Sequence, residues 1–191
     1  MKNKEYRSLV GIKTRSGTEN SEDLVISGYF ILFNEETELW DGYFERISPK
    51  ALDKTINNDI RVLINHDTSK VLARSTNDTV KFTIDDKGLF GEVHVNRNDT
   101  EAVNLYERVK RGDVNQCSFG FIINDEKIDK RDDGTYHSTI LDIELFEVSV
   151  VTYPAYANTS VNARKDNFEK DKKRDHEVWK KELMERIYKN A

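Results

Sequence analysis

Three polar residues in separate β-rich segments could together catalyse acyl transfer. His66 follows the apolar run of residues 60–64, Ser118 opens a strand-like run, and Glu147 lies within an apolar one. Acyl transfer needs a nucleophile, a general base and a group that orients the base, and a hydroxyl, an imidazole and a carboxylate can take these roles. The fold sets the order of such residues along a chain, so the order His, Ser, Glu is compatible with this chemistry.

Cys117 is the rival nucleophile, because a thiolate is intrinsically more nucleophilic than a hydroxyl. Neighbouring residues of a strand point to opposite faces, so Cys117 faces the core if Ser118 faces His66. A thiol is at home in an apolar core. Only one of Ser118 and Cys117 can therefore face His66, and alternation alone leaves both open as the nucleophile. Gly120 weakens the same strand and indicates a close approach there, which would suit a substrate or an oxyanion.

Four carboxylates of the sequence are candidates for the acid. A carboxylate within an apolar strand is costly unless it is hydrogen-bonded, and an orienting contact with His66 would explain Glu147. Strict alternation places Glu147 on the same face as Leu145 and Ser149. The alternatives that the sequence leaves open are Asp67, Asp142 and Glu144, of which the last two fall on the other face.

The segments around these residues, 65–67, 116–121 and 146–156, resemble in order and spacing those of the phage head maturation (prohead) serine proteases. The resemblance runs from about residue 28 to residue 156. It implies that His66 is the general base, Ser118 the nucleophile and Glu147 the acid. It also implies a serine endopeptidase that cleaves the scaffolding segment of the phage major capsid protein, and itself, inside the immature prohead in the host cytoplasm.

Two other functions remain open. One is a capsid-assembly or scaffolding component that keeps the same fold without catalysis, and the other is a β-rich binding module in which the three residues meet by chance. The partners implied by the resemblance are the major capsid protein and its scaffolding segment, with a homo-oligomer as a further option. Cleavage of the capsid protein that depends on Ser118 would distinguish the enzyme from both alternatives.

Composition and charge argue against several other classes of protein. Residues 164–191 carry a net charge of +3 and the rest of the chain −8, so an acidic body argues against binding nucleic acid. No apolar run approaches the roughly 20 residues of a membrane span. The single Cys117 excludes an internal disulfide and fits a reducing compartment. No metal site or cofactor motif is visible, and we expect neither a metal nor a cofactor.

The order of the elements predicts an α+β fold that is mainly β. Many short strands separated by turns indicate a β-barrel or sandwich with helices packed outside. The resemblance implies a barrel like that of the herpesvirus assemblins, surrounded by helices. Residues 5–13 and 24–33 are expected to pair as a hairpin around a turn at residues 16–20.

Two helices are predicted in addition to a short one that begins at Ser48 and Pro49. Asp99 can cap a helix that ends at Gly112. Its apolar face consists of Ala102, Leu105, Tyr106 and Val109. The second is an amphipathic helix in a charged tail, residues 164–191, with Trp179, Leu183 and Ile187 on one face. Residues 1–163 would form the protease domain.

Overall fold

The computed structural model describes residues 4–10, 13–16, 23–153 and 158–189. It divides the chain into two units, Met1–Ala157 and Asn158–Ala191. The first unit consists mainly of β-strands, and the second is a single helix, so the prediction of a mainly β, α+β fold is confirmed. None of the described helices is both long and apolar enough to cross a membrane.

The described strands and helices follow one another in the first unit with short connections. The strands are β1 (Lys4–Val10), β2 (Lys13–Ser16), β3 (Leu24–Leu32), β4 (Thr37–Trp40), β5 (Tyr43–Ile47), β6 (Arg61–Ile64), β7 (Asp67–Arg74), β8 (Val80–Ile84), β9 (Gly88–His94), β10 (Gln116–Lys130) and β11 (Tyr136–Val151). Helix α1 (Thr100–Arg111) lies between β9 and β10, and α2 (Asn158–Lys189) forms the second unit. Two short 3₁₀ helices span Pro49–Leu52 and Ser75–Asn77.

The larger sheet is built around the long antiparallel hairpin of β10 and β11. Its strand order is β1-β10-β11-β5-β4, and β6 also pairs with β11 and carries β7 at its edge. Both β5 and β6 run parallel to β11, β5 beside residues 136–140 and β6 beside residues 147–150. The smaller sheet has the order β2-β3-β9-β8. The pairing of the described strands gives two sheets and no closed barrel.

The prediction that residues 5–13 form a hairpin with residues 24–33 is wrong for the residues of β1. Only β2 pairs with β3. Strand β1 instead pairs antiparallel with β10, more than a hundred residues away, with Ser8 opposite Ser118. Alternation of apolar and polar residues indicates a strand but does not specify its partner, so the sequence favoured the nearer strand.

The core lies between the two sheets and includes the inner face of α1. Phe119 and Phe121 of β10 point into it, together with Phe30 of β3, and burying each such side chain contributes about 1.5–3 kcal/mol. The prediction of α1 is confirmed. Asp99 accepts hydrogen bonds from the Glu101 and Ala102 amides, and the helix ends at Gly112 with φ of 90°. All four predicted apolar residues of this helix are buried.

Candidate active site

His66 lies in the tight turn that joins β6 to β7. Ile64 pairs with Asp67, so the turn contains only Asn65 and His66, whose φ angles are 52° and 60°. Two successive residues with positive φ are the mark of a type I′ turn. Asn and His are both among the non-glycine residues that adopt positive φ more often than others, so this pair of residues suits the turn. The Thr152 amide donates to Asn65 Oδ1 at 2.8 Å, which fixes the turn to the end of β11.

The imidazole of His66 contacts the carboxylate of Glu147 directly. Nδ1 of His66 lies 2.6 Å from Oε1 of Glu147. The hydroxyl of Ser149 donates to Oε2 of the same carboxylate at 2.7 Å and accepts the His66 backbone amide at 3.2 Å. Both carboxylate oxygens are therefore engaged. The contact assigns a proton to Nδ1 and leaves the lone pair of neutral His66 on Nε2, which is the tautomer that a general base needs.

A bulge in β11 directs Glu147 towards His66. Gly120 pairs with Glu147 and Phe121 pairs with Leu145, so Phe146 is an extra residue on β11. A Cβ atom on Gly120 would lie 2.7 Å from Glu147 Oε1 and 2.8 Å from the Phe146 ring. Glycine at position 120 therefore makes room for these two side chains.

The bulge also corrects the prediction from strict alternation. Leu145 packs in the core and pairs with Phe121, whereas Glu147 belongs to the opposite face, with Ser149. Each inserted residue shifts the alternation by one position, and no residue type between positions 145 and 147 marks an insertion.

The other three acids make contacts elsewhere. Asp67 accepts hydrogen bonds from the hydroxyl and the amide of Ser69, and these bonds hold the pKa of its carboxyl below the usual value. Asp142 pairs with Lys54 at 2.5 Å, and Glu144 is exposed. Of the four acids considered from the sequence, only Glu147 makes a described hydrogen bond to His66.

Ser118 lies on the same face of the sheet as Glu147, and its hydroxyl is hydrogen-bonded to the main chain of β1. It pairs with Ser149 across β10 and β11, so both side chains lie on the face of Glu147. The Ser118 hydroxyl is completely buried and donates to the carbonyl oxygen of Arg7 at 2.8 Å. Nε2 of His66 is also buried and has no hydrogen-bond partner within the described ranges.

Cys117 lies on the opposite face of β10, as the alternation argument expects. Its side chain is completely buried in the core, and its thiol donates to the carbonyl oxygen of Tyr29 at 3.2 Å. In this arrangement Cys117 is a core residue and the His66 face of the strand carries Ser118.

Sequence reasoning missed Tyr6 and Ser149 as members of this site. The Tyr6 ring packs edge-on against the His66 ring with centroids 4.8 Å apart. Burial, and then the negative charge of Glu147, raise the pKa of Tyr6, so its phenol stays neutral beside the carboxylate. Alternation could have found Ser149, which is two residues from Glu147. Nothing local could have found Tyr6, because its place depends on the partner of β1.

A second His–Glu pair in the structure shows how different the His66 site is. Nδ1 of His137 lies 2.8 Å from Glu36, and its Nε2 lies 3.0 Å from the Thr135 hydroxyl. That hydroxyl donates its proton to Asp133, so it accepts from Nε2 of His137. Both ring nitrogens of His137 are therefore engaged, whereas Nε2 of His66 has no partner in the described part of the chain. The hydrogen bond from His137 also lowers the pKa of Glu36.

The family of caudovirus prohead serine proteases matches this chain over residues 11–174. The chain belongs to this family. The matched range contains all three predicted site residues of the prohead protease. A solved structure similar to it is the bacteriophage T4 capsid assembly protease, gp21, with 13% identity and a TM-score of 0.48 over 77% of this chain and 98% of that chain. No curated protein matches the sequence.

Proposed function

We propose that this chain is the serine endopeptidase of a phage prohead, which cleaves the scaffolding segment of the major capsid protein, and itself, during maturation in the host cell. Membership in the prohead serine protease family supports a protease that acts in capsid maturation. The observation that carries the catalytic assignment is the 2.6 Å contact of His66 Nδ1 with Glu147. This contact leaves Nε2 without a partner in the described part of the chain, and Glu147 shares a face of the sheet with Ser118.

In the proposed reaction the Ser118 oxygen bonds to the carbonyl carbon of the scissile peptide and passes its proton to Nε2 of His66. Glu147 stabilises the resulting imidazolium through Nδ1. The C–N bond then breaks, and His66 returns the proton to the leaving amine. Water, deprotonated by the same nitrogen, hydrolyses the acyl-enzyme and frees Ser118. The hydroxyl of Ser118 must first release the carbonyl oxygen of Arg7.

One observation favours the alternative of a capsid-assembly component without catalysis. Ser118 is completely buried, and its proton is engaged by a backbone carbonyl. Co-expression of the chain with the capsid protein of the same phage distinguishes the two functions. The protease should produce a shortened capsid band that is absent with Ser118→Ala. A capsid protein that stays at full length while proheads still assemble would favour the alternative.

We further propose that the larger sheet is an open form of the herpesvirus-type barrel. Arg7 on β1 forms a bidentate ion pair with Glu45 on β5, at 2.7 and 3.0 Å, although β10 and β11 lie between these strands. Such a contact requires strong curvature of the sheet. This curvature is what supports the proposed relationship.

The charged tail, residues 164–191, is proposed as a binding segment for capsid or scaffold surface. Within α2 the side chains of Trp179, Leu183 and Met184 are 57%, 39% and 45% exposed. Leu183 lies four residues after Trp179, so the two share a helix face. Apolar side chains grouped on a charged helix are typical of a segment that packs against a partner.

Ser149→Ala is expected to lower kcat about tenfold to hundredfold while changing KM little. The substitution removes a donor to the Glu147 carboxylate, and a hydrogen bond to a charged group contributes about 1.5–3 kcal/mol. It also removes the acceptor of the His66 amide. Steady-state cleavage of a capsid-derived peptide measures both constants, and Ser149→Thr should restore much of kcat because it keeps the hydroxyl.

Ser138→Ala is the matched control for this prediction. Ser138 is a buried serine of the same strand, and its hydroxyl donates to Glu126 at 2.6 Å, outside the group of residues around His66. An equal loss of kcat in both variants would show that the effect of Ser149→Ala is on the sheet in general and does not come from positioning Glu147.

A further inference from the structure

Strand β1 covers both of the atoms that the proposed reaction needs. The Arg7 carbonyl oxygen accepts the Ser118 proton, and the Tyr6 ring packs on His66, whose Nε2 is buried. A cavity of about 220 Å³ adjoins the turn through Asn65 and Asp67, but neither Ser118 nor His66 is among its lining residues. Strand β1 precedes residues 11–174, the range that matches the family. It therefore closes the site from outside the matched range.

The pairing of β1 with β10 is the arrangement that an extended peptide adopts when it adds to a sheet edge. Such peptides gain affinity from main-chain hydrogen bonds and specificity from the pockets for their side chains. The carbonyl of Arg7 lies at the nucleophile, so Arg7 stands where the residue before a scissile bond would stand. The contact is unproductive, because the hydroxyl donates to the carbonyl oxygen and its proton is not shared with His66.

The side chain of Arg7 enters a buried acidic pocket. Its guanidinium donates to both oxygens of Glu45, and it lies 5.5 Å from the centre of the Phe121 ring. Glu45 and Phe121 belong to β5 and β10, so these two contacts remain available if β1 leaves. Glu5, whose carboxylate accepts from the same guanidinium at 3.1 Å, belongs to β1 and leaves with it. Bidentate binding to a carboxylate and stacking on an aromatic face are both favourable for Arg, whereas Lys supplies the charge without the planar fork. The pocket therefore suits a basic side chain.

The fit of β1 is imperfect at the position next to Arg7. Ser8 pairs with Ser118, and its hydroxyl is buried with no hydrogen-bond partner in the described part of the chain. A buried hydroxyl that makes no hydrogen bond destabilises the arrangement that buries it. A segment with a small apolar residue at this position would bind without that penalty. Relief of this penalty would contribute to the displacement of β1 by such a segment.

We propose that β1 is an intramolecular pseudosubstrate, which holds the protease inactive and is displaced by an extended capsid-protein segment with Arg or Lys at the position of Arg7. This regulation rests on the proposed function of Ser118 as the nucleophile. Two consequences follow. A change that loosens β1 should expose Ser118, and a covalent bond between β1 and β10 should keep Ser118 covered.

The rate at which a fluorophosphonate probe labels Ser118 tests both consequences. Arg7→Ala removes the ion pairs with Glu45 and with Glu5, and we expect labelling at least tenfold faster than in the wild type. Lys4→Cys with Ile122→Cys places two cysteines on paired strand positions, where Cα separations of about 4.5–5.5 Å permit a disulfide. We expect the oxidised form to be labelled at least tenfold more slowly than the same protein after reduction.

Lys127→Cys with Thr139→Cys is the matched control for the disulfide. This disulfide would join β10 to β11 in the part of the hairpin that β1 does not pair with, and it forms no bond to β1. Oxidation should therefore leave the labelling rate unchanged. Unchanged labelling in the oxidised Lys4/Ile122 protein, or no acceleration in a folded Arg7→Ala protein, overturns the proposal. Absence of labelling in every variant overturns it as well. If Arg7→Ala fails to fold, the comparison of labelling rates between the oxidised and the reduced Lys4→Cys/Ile122→Cys protein tests the proposal without it.

A peptide in trans tests the basic pocket. The peptide with the sequence of residues 4–10 should slow the labelling of the Arg7→Ala protein at least tenfold. A peptide with Lys in place of Arg7 should protect less, because Lys keeps the charge and loses the bidentate contact. Replacement of that residue by Glu should remove the protection, and equal protection by all three peptides would overturn the basic specificity. If capsid cleavage needs Ser118 but none of these changes alters labelling, only the pseudosubstrate is refuted. If cleavage does not need Ser118, the proposed function fails too.

Discussion

Ser118→Ala is expected to lower kcat for cleavage of the capsid protein by roughly a millionfold, which is the loss that removal of the nucleophile causes in a well-tuned serine protease. Without the hydroxyl no acyl-enzyme forms, and only binding and electrostatic stabilisation of the transition state remain. The loss should appear in kcat, because Ser118 makes no new contact until the reaction begins. Quantification of cleaved capsid protein over time, with purified chain and intact capsid protein, measures it.

Cys117→Ala is the matched control, because it changes the neighbouring residue on the other face of β10. Cys117 is completely buried in the core, so the substitution should lower the melting temperature and leave kcat within a few-fold of the wild type. The assignment of the nucleophile is refuted if Cys117→Ala abolishes cleavage while Ser118→Ala retains it.

Glu147→Gln is expected to lower kcat about ten-thousandfold, the size of the effect seen when the acid of a Ser-His-acid triad becomes an amide. The amide keeps the shape of the side chain and can still accept from Ser149. It loses the charge that stabilises the imidazolium, and its NH₂ group can donate to Nδ1 of His66, which favours the wrong tautomer. This loss exceeds the one expected for Ser149→Ala, because Ser149 acts only through the carboxylate.

Glu144→Gln is the control for charge removal on β11. Glu144 is exposed, so the substitution should leave kcat and the melting temperature close to those of the wild type. A thermal melt of Glu147→Gln separates a loss of activity from a loss of folding. Full turnover in Glu147→Gln, with loss in Asp67→Asn or Asp142→Asn, would transfer the role of the acid to that residue.

The sequence by itself determined the features that depend on neighbouring residues. The spacing of four apolar residues, the cap at Asp99 and the glycine at position 112 specify α1, and each of these signals lies within or next to the helix. The 3₁₀ helix at Pro49 follows from Ser48 and the proline in the same way. The mainly β class follows from many short apolar runs and turns. The opposite orientations of Cys117 and Ser118 follow from the alternation of side chains along a strand, because no bulge lies between these two residues.

The tertiary structure decided the features that depend on distant residues. An extra residue at Phe146 placed Glu147 on the face of His66 and separated it from Leu145, and a bulge shows only when two strands are paired. The partner of β1 decided that Tyr6 covers His66 and that Arg7 accepts the Ser118 proton. Strand pairing depends on which sheet edge is available and on the curvature of the sheet. Both are set by contacts between residues far apart in the chain, and the local pattern of apolar residues carries no record of them.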